Sequence, residues 1–423
     1  MLTFIHAADI HLDSPLHGLS RYEGAPAREI RQATRKALDN LVNYVLEHRI
    51  PLLLIAGDLY DGDCPDFQTP LHFSAQMSRL REAGTRVALI RGNHDAQNRM
   101  TKSLRLPDNV FTFSAARPAT WKLEDLGTAV HGQSYDREAV LENLALNYPD
   151  PVPGMFNIGL LHTSLSGTPE HSGYAPCTLN QLLAKGYDYW ALGHIHRHEI
   201  LHRDPPVIFS GCIQGRHIRE PGGKGCMRVD VDPSGRINIE RVELDVLRWQ
   251  HMELDVSGLK TRGAVLDLVS RELENISAAR DSEKLLGLRL TLKGTTGAFS
   301  DIMHDFAGLQ AEIRNLATDI SGQTIWVEKI FNQCTPALDW QEIKASGTAL
   351  AHLAGYMQEL EQDPELFKSL DLDLTELRAK LGGTGVELPD LDDPHTRQEY
   401  VSRCRDMVMT LLARDMSSTG NGS

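Results

Sequence analysis

Three times in its first half the chain runs through four or five consecutive apolar residues, breaks at or beside a glycine, and continues into side chains that bind metals or move protons. The stretches are LLLIAGDLYD (52–61), VALIRGNHD (87–95) and YWALGHIH (189–196). Short, fully apolar runs of this kind are buried strands. Between them, residues 27–48 carry Ile30, Leu38, Leu41, Val42, Val45 and Leu46 at helical spacing, and residues 68–83 are helical as well. With LTFIHAAD (2–9) as a further strand, the alternation predicts an α/β domain in which helices cover a sheet.

From residue 155 strands dominate: FNIGLLH, YDYWALGH, PPVIFSG, CMRVDVD and RINIERVEL, the last two joined by a DPSG hairpin turn at 232–235. They are expected to form a second sheet packed on the first, within a domain over 1–248. At Trp249 the character changes. HMELDVSG, a helix at 262–279, LGLRLTLKG, a helix at 299–317 and TIWVEKIF make a small α/β cap domain over 249–335, whose core Trp249 and Trp326 are expected to fill. Residues 336–423 read as a helical extension. Leu350, Leu353, Ala354, Met357 and Leu360 share one face over 341–361, a Gly/Pro/Asp-rich loop spans 381–394, and Val401, Cys404, Val408, Leu411 and Leu412 line a last helix. SSTGNGS (417–423) reads as a disordered tail.

The 41% apolar content suits a chain that buries proper cores, and no stretch of 18 apolar residues occurs. Six scattered cysteines with no C-x-x-C pair argue against a zinc ribbon or a disulfide framework and fit a reducing, cytoplasmic setting. The net charge of −14 is uneven. Residues 1–249 hold 26 basic against 29 acidic side chains (−3), and residues 250–423 hold 17 against 28 (−11). The charge argues against a protein that coats nucleic acid by bulk electrostatics; if DNA is bound, local Arg/Lys clusters and metal ions must supply the attraction to phosphate, because the overall field does not.

Five strand ends finish in ligand-type residues: Asp9-Ile10-His11, Gly57-Asp58-Leu59-Tyr60-Asp61, Gly92-Asn93-His94-Asp95, His162, and Gly193-His194-Ile195-His196. In an extended chain, residues i and i+2 point the same way, which would converge Asp9 on His11 and His194 on His196. Taken singly, each motif is ordinary strand-end turn chemistry. The ordered set of five is not. A mixture of imidazole, carboxylate and one amide oxygen suits Mn²⁺ or a similar divalent ion. Seven donors exceed the needs of one ion, whereas two ions sharing one carboxylate use them all, at the spacing of about 3.5–4 Å that serves in-line attack on phosphorus. Asp95 reads as a turn or helix-cap residue. The loop GCIQGRHIREPGGKGC (211–226) holds Arg216, His217, Arg219 and Lys224 among five glycines, placed either to flank a DNA strand or simply to be solvated.

In this order, D-x-H, G-D-x-x-D, G-N-H-D, H and G-H-x-H resemble the calcineurin-like metallophosphoesterases over residues 9–196. Within that superfamily FIHAADIHLDSPLHGL (4–19), IQGRHIREPGGKGC (213–226) and a small domain after residue 249 are similar to the SbcD-type DNA-repair exonucleases, especially their YhaO-like branch. The resemblance implies an αββα two-sheet sandwich and two divalent ions, one held by Asp9, His11 and His196, the other by Asn93, His162 and His194, with Asp58 shared. It implies hydrolysis of DNA phosphodiesters by a metal-held hydroxide attacking in line, with His94 assisting the departing oxygen. It further implies a homodimer and a coiled-coil ATPase partner of the SbcC or YhaN kind. One position departs from the pattern: the repair nucleases often carry histidine where Asp61 stands, while the phosphoprotein phosphatases carry an aspartate there that pairs with the histidine of Gly-Asn-His. Asp61 is thus expected to orient His94. A phosphatase acting on a non-DNA substrate and a non-catalytic scaffold of an SMC-like ATPase complex are the alternative readings.

Overall fold

The computed structural model describes residues 1–14, 26–61, 68–97, 105–165, 174–280, 284–338, 343, 345, 349–370, 372–381 and 390–419. Residues 15–19 of the N-terminal signature, Cys64, His171, most of 341–348, residues 382–389 of the expected loop and the last four residues of the expected tail lie outside them.

Strands β1 (Leu2–Ala7), β2 (Leu52–Ala56), β3 (Arg86–Ile90) and β4 (Val110–Thr112) lie side by side, each parallel to the next. Parallel neighbours need long crossovers, and α1 (Ala27–Glu47) and α2 (Gln68–Glu82) supply them. One face of this sheet, with Ile5, Leu53, Ile55, Val87 and Leu89, packs on Leu38, Leu41 and Val45 of α1 and Phe73 and Met77 of α2. The alternate residues Phe4, Leu52, Leu54, Ala88 and Ile90 meet Val130, Ile158, Leu160, Tyr189 and Ile208 of a second sheet. Burial on both faces explains why the runs are continuously apolar. A short helix, α3 (Asn93–Gln97), follows β3.

The second sheet comprises β5 (Ala119–Leu123), β6 (Thr128–Gly132), β7 (Phe156–His162), β8 (Tyr189–Gly193), β9 (Glu199–Arg203) and β10 (Pro206–Phe209), in the order β5-β6-β7-β8-β10-β9. Its outer face buries Trp190, Leu192 and Phe209 against Tyr135, Tyr148 and Leu182, the last from α4 (Leu179–Leu183), which a Thr178–Gln181 capping box starts. Helices and loops thus flank two packed sheets in an αββα sandwich. The membership of the sheets differs from expectation. β11 (Gly225–Val231) and β12 (Ile237–Glu243) return to the first sheet, β11 antiparallel to β1, where Thr3 Oγ1 donates to Asp230 at 2.7 Å, and β12 antiparallel to β11 at the edge. Periodicity identifies a strand and leaves its neighbour open. β4, β5, β6 and β9 were not expected at all; at three to five residues each, they are too short to show a period.

His6 is the polar exception on the inner face of β1, with Nδ1 3.0 Å from Tyr189 Oη and Nε2 3.1 Å from the Leu192 carbonyl. Burial lowers its pKa to about 3. An unfolded histidine titrates near 6.5, so the unfolded chain binds the extra proton below that pH. The stability tied to neutral His6 is complete above pH 6.5 and is lost as pH falls toward 3, by about 2 kcal/mol at pH 5. Denaturant melts at pH 7.5 and 5 should show a smaller acid loss for His6→Gln than for wild type. Equal losses would count against this account.

The chain divides into two units: Met1–His251 with Asp281–Leu288 and Thr324–Glu328, and Met252–Arg280 with Arg289–Gln323 and Lys329–Ser423. β13 (Leu247–Asp255), β14 (Leu285–Thr296) and β15 (Ile325–Pro336) form a third sheet in that order, and the division falls within these strands. Trp249 and Trp326, expected in the small domain's core, instead bury with Ile30, Ala33 and Leu247 of the first unit, edge to face at 6.0 Å. In the second unit α5 (Arg262–Ala279) is capped by Thr261. The single helix expected over 299–317 breaks at Asp305 into α6 (Phe299–His304) and α7 (Phe306–Ser321), because the Asp305 carboxylate accepts from Gly308 N at 2.9 Å as an N-cap. Then follow α8 (Ala349–Gln362), α9 (Pro364–Lys368), α10 (Thr375–Leu381) and α11 (Pro394–Thr419). α8 packs on α11, with Arg405 paired to Glu361. α11 carries helix through residue 419, into the segment expected as tail. Among the described residues no helix is long and apolar enough to cross a membrane.

Candidate metal centre

The carboxyl ends of β1, β2 and β3 in one sheet meet those of β7 and β8 in the other, the place where parallel α/β sheets present ligand sites. The main chain past each strand is shaped to aim side chains. Asp9 N donates to Gly57 O at 3.0 Å and His11 N to Asp58 O at 3.0 Å, so the segment after β1 stays alongside the segment after β2. The i, i+2 convergence expected from extended backbone is not how this happens. Asp9, His11, Asp58 and His194 have φ of 48°, 45°, 50° and 105°, left-handed conformations that cost a non-glycine residue energy and mark sites where the surroundings impose them. Glycines permit the crowding: a Cβ on Gly92 would sit 2.2 Å from Asp58 Oδ1, and one on Gly193 only 1.9 Å from the Ala56 carbonyl oxygen.

The result gathers all seven expected donors. Asp9, His11 and His196 form one group with ligand atoms within 4.8 Å of one another, and Asp58, His162 and His194 form another. Asn93 Oδ1 lies 3.0 Å from His162 Nε2 and 3.3 Å from His194 Nδ1. Asp9, His11, Asp58, Asn93 and His162 are buried. Asp9 also accepts from His194 N at 3.0 and 3.1 Å, tying the two sheets' loops together.

The donor chemistry fits divalent cations. The Ala56 carbonyl can only accept, so the contact of 2.9 Å puts the proton of His162 on Nδ1 and turns the Nε2 lone pair toward Asn93 Oδ1 and Asp58 Oδ2, the latter at 3.5 Å. His196 Nδ1 likewise faces Glu220 Oε1 at 2.6 Å, leaving its Nε2 opposite His11 Nε2 at 3.1 Å. Converging lone pairs and buried carboxylates are a cation site. The field agrees: burial opposes charge on His162, yet Asp58, Asp9 and the Ala56 carbonyl outweigh it and raise its pKa to about 9, so that a proton on Nε2 takes the place a metal cation would otherwise hold.

His94 stands at the rim with two-fifths of its side chain exposed and Nδ1 2.8 Å from Asp61 Oδ1. The Asp61 hydrogen bond raises the His94 pKa against the opposing effect of burial. Burial would raise Asp61 itself, but hydrogen bonds from His11 and His94 hold its carboxyl far below the usual range. Asp95 is buried and accepts from Gly92 N, Leu59 N and Tyr60 N at 2.8–3.1 Å, clamping the β2 and β3 loops. Burial and Asp58 raise its pKa to about 6.

The basic loop is less uniform than its sequence. His217 and Arg219 are exposed, Lys224 is buried with Nζ 3.4 Å from the His196 carbonyl, and Arg216 turns inward to Asp61 Oδ2 at 3.1 Å and Glu220 Oε1 at 3.2 Å. Glu220, buried and bonded to His196, escaped the sequence reading. Its only signal was one acidic residue four positions after Arg216 in a loop read for its positive charge.

Residues 2–198 match the calcineurin-like phosphoesterase family, and residues 249–335 match the middle domain of the metallophosphoesterase YhaO. The uncharacterised metallophosphoesterase YhaO of Bacillus subtilis (strain 168) is 36% identical over 298 residues, covering 70% of this chain and 72% of that one. The chain is a YhaO-like, calcineurin-like metallophosphoesterase. More distant relatives of this metallophosphoesterase are the DNA double-strand break repair proteins Mre11 of Methanopyrus kandleri (26% identical, 63% of this chain and 64% of the relative) and Sulfurisphaera tokodaii (23%, 60% and 66%). The chain thus spans just under two thirds of either Mre11 protein. The metallophosphoesterases are hydrolases that use divalent metals, and the donor groups above are the residues here suited to hold them.

Proposed function

We propose that this metallophosphoesterase hydrolyses phosphodiester bonds in DNA, with Mn²⁺ as its working metal. The observation that carries the reading is a half-exposed His94 paired to Asp61 at the rim of seven gathered donors, five of them buried. Asp9, His11 and His196 would hold one ion, Asn93, His162 and His194 the other, and Asp58 both. When bound, such a pair stabilises charge on phosphoryl oxygens and lowers the pKa of water. The chain's own residues supply the rest. Asp61 holds Nδ1 of His94, which leaves Nε2 to face solvent and substrate, and the same hydrogen bond raises the pKa of the imidazole, favouring the protonated form that can donate to the departing oxygen. Arg219 offers an exposed positive group and His217 an exposed imidazole on the same loop as Arg216. The names of the Mre11 relatives support DNA as substrate.

A cytoplasmic location, a homodimer and a coiled-coil ATPase partner of the SbcC or YhaN kind belong to the same proposal. Exposed Tyr356 of α8 and Tyr400, Met407 and Leu412 of α11 offer partner helices an apolar surface. The Asp61–His94 pair and the net charge of −14 favour a second reading, phosphomonoester hydrolysis.

The test sets end-labelled linear DNA, closed circular DNA and a phosphomonoester reporter beside one another, with Mn²⁺ and then with EDTA. Mn²⁺-dependent DNA cleavage is expected, and His94→Gln should reduce it about 10²- to 10⁴-fold while Mn²⁺ binding persists. Phosphomonoester turnover with DNA left intact would move the chain to the second reading.

A further inference from the structure

We propose that Glu220 and Arg216 are positioning residues of the hydrolytic site, joined into one charged bridge from the His196 imidazole to the His94 imidazole. The inference rests on the hydrolase reading above and deepens it. Glu220 Oε1 faces His196 Nδ1 at 2.6 Å and Arg216 Nη2 at 3.2 Å, while Oε2 accepts from Arg216 N at 2.7 Å. Arg216 Nη1 continues to Asp61 Oδ2 at 3.1 Å, an oxygen that also accepts from Ser14 Oγ. Asp61 Oδ1 then meets His94 Nδ1 at 2.8 Å.

Each link restricts the next. A carboxylate on Nδ1 fixes both the tautomer and the ring plane of His196, so that Nε2 is aimed at the donor cluster. Of the two Asp61 oxygens, Oδ2 is held by Arg216 and Ser14, while Oδ1 faces His94 and, at 3.5 Å, His11 Nδ1, so the place of the His94 ring depends in part on where Arg216 holds Asp61. Only a planar guanidinium can span both carboxylates while keeping its own backbone on one of them; an ammonium at residue 216 offers a single point of charge. The middle of the bridge is largely shielded from solvent, with 14% of the Arg216 side chain and 7% of the Glu220 side chain exposed. Its loop is framed by uncharged contacts as well: Gln214 bonds to Val246 N and Leu247 O, and Trp249 Nε1 donates to Gly215 O. Arg216 thereby holds a place facing the site, matched by two carboxylates, and is not a free cation for DNA phosphate.

The test uses the full chain as wild type, Glu220→Gln, Arg216→Lys, His94→Gln and the Arg216→Lys/His94→Gln double variant. Two readouts are taken: Mn²⁺ affinity by titration calorimetry, and kcat and KM on whichever substrate wild type turns over. Glu220→Gln should weaken Mn²⁺ binding about 10- to 100-fold. Arg216→Lys should lower kcat roughly tenfold with KM little changed in the presence of His94, and by less than about twofold in the His94→Gln background, because the two act as one unit. Where Glu220→Gln lacks a cooperative thermal transition, Glu220→Asp takes its place, since it keeps the charge but withdraws the carboxylate by one methylene, and it too should weaken Mn²⁺ binding. Unaltered Mn²⁺ affinity at residue 220, or an Arg216→Lys loss that is the same with and without His94, overturns the inference. A wild type that neither binds Mn²⁺ nor hydrolyses either substrate removes the hydrolase reading, and this inference with it.

Discussion

Replacing Asp58 with asparagine is expected to abolish metal-dependent hydrolysis, by about 10⁴-fold or more. Asp58 sits between the two donor groups, with Oδ2 3.7 Å from His11 Nε2 and 3.5 Å from His162 Nε2, while Oδ1 accepts from His94 N at 3.0 Å. Burial penalises its charge, but His162, His11 and His94 outweigh burial and hold the carboxyl well below its ordinary range, so it is ionised at any working pH. An amide keeps the shape and removes the negative charge that both groups share. Bound divalent ions contribute several kcal/mol of charge stabilisation in reactions at phosphorus, and about 6 kcal/mol is worth roughly 10⁴ in rate. Calorimetry should show Mn²⁺ binding weakened at both positions together if Asp58 serves both ions as proposed. A variant that still takes up two ions with wild-type affinity and turns over substrate would show that Asp58 is structural.

Placing a methyl group at Gly193 is the second large effect, and it concerns assembly before chemistry. Gly193 ends β8 in the second sheet, and the Ala56 carbonyl it would strike at 1.9 Å ends β2 in the first. That carbonyl also accepts from His162 Nδ1, which lies 3.0 Å from the added Cβ. Backbone cannot yield as a flexible side chain does, so Gly193→Ala must part the two sheets where the donors converge. A loss of about 3 kcal/mol or more is expected, read as roughly 6–12 °C in Tm, together with weakened Mn²⁺ binding. Gly263→Ala in α5, whose nearest neighbour would be 4.0 Å away, serves as the control and should be neutral or slightly stabilising. Equal melting of the two variants would mean that the sheets separate without cost.

Much of the site was legible in the sequence because its donors follow directly on buried strands, and the apolar runs 52–56, 87–90 and 189–192 announce those strands. The order of ligand types then carried the family, which the similarity to YhaO bears out. The geometry of delivery was not legible. Left-handed backbone at Asp9, His11, Asp58 and His194 is imposed by neighbouring loops, and no local propensity of Asp or His asks for it in series. The short strands β4, β5, β6 and β9 were missed for a similar reason: their pairing is decided by neighbours distant in sequence.

By itself, then, the sequence determined which strands are buried on both faces, which side chains stand at their ends, and the family to which that order belongs. These depend on local periodicity and residue type. Only the tertiary structure decided that β11 and β12 join the first sheet, that Trp249 and Trp326 close against α1, and that Arg216 spends its charge on Asp61 and Glu220. Each of those outcomes is a contact between segments far apart in the chain, and burial makes such contacts decisive: a charge or an indole leaving water takes the partner that the fold brings within reach.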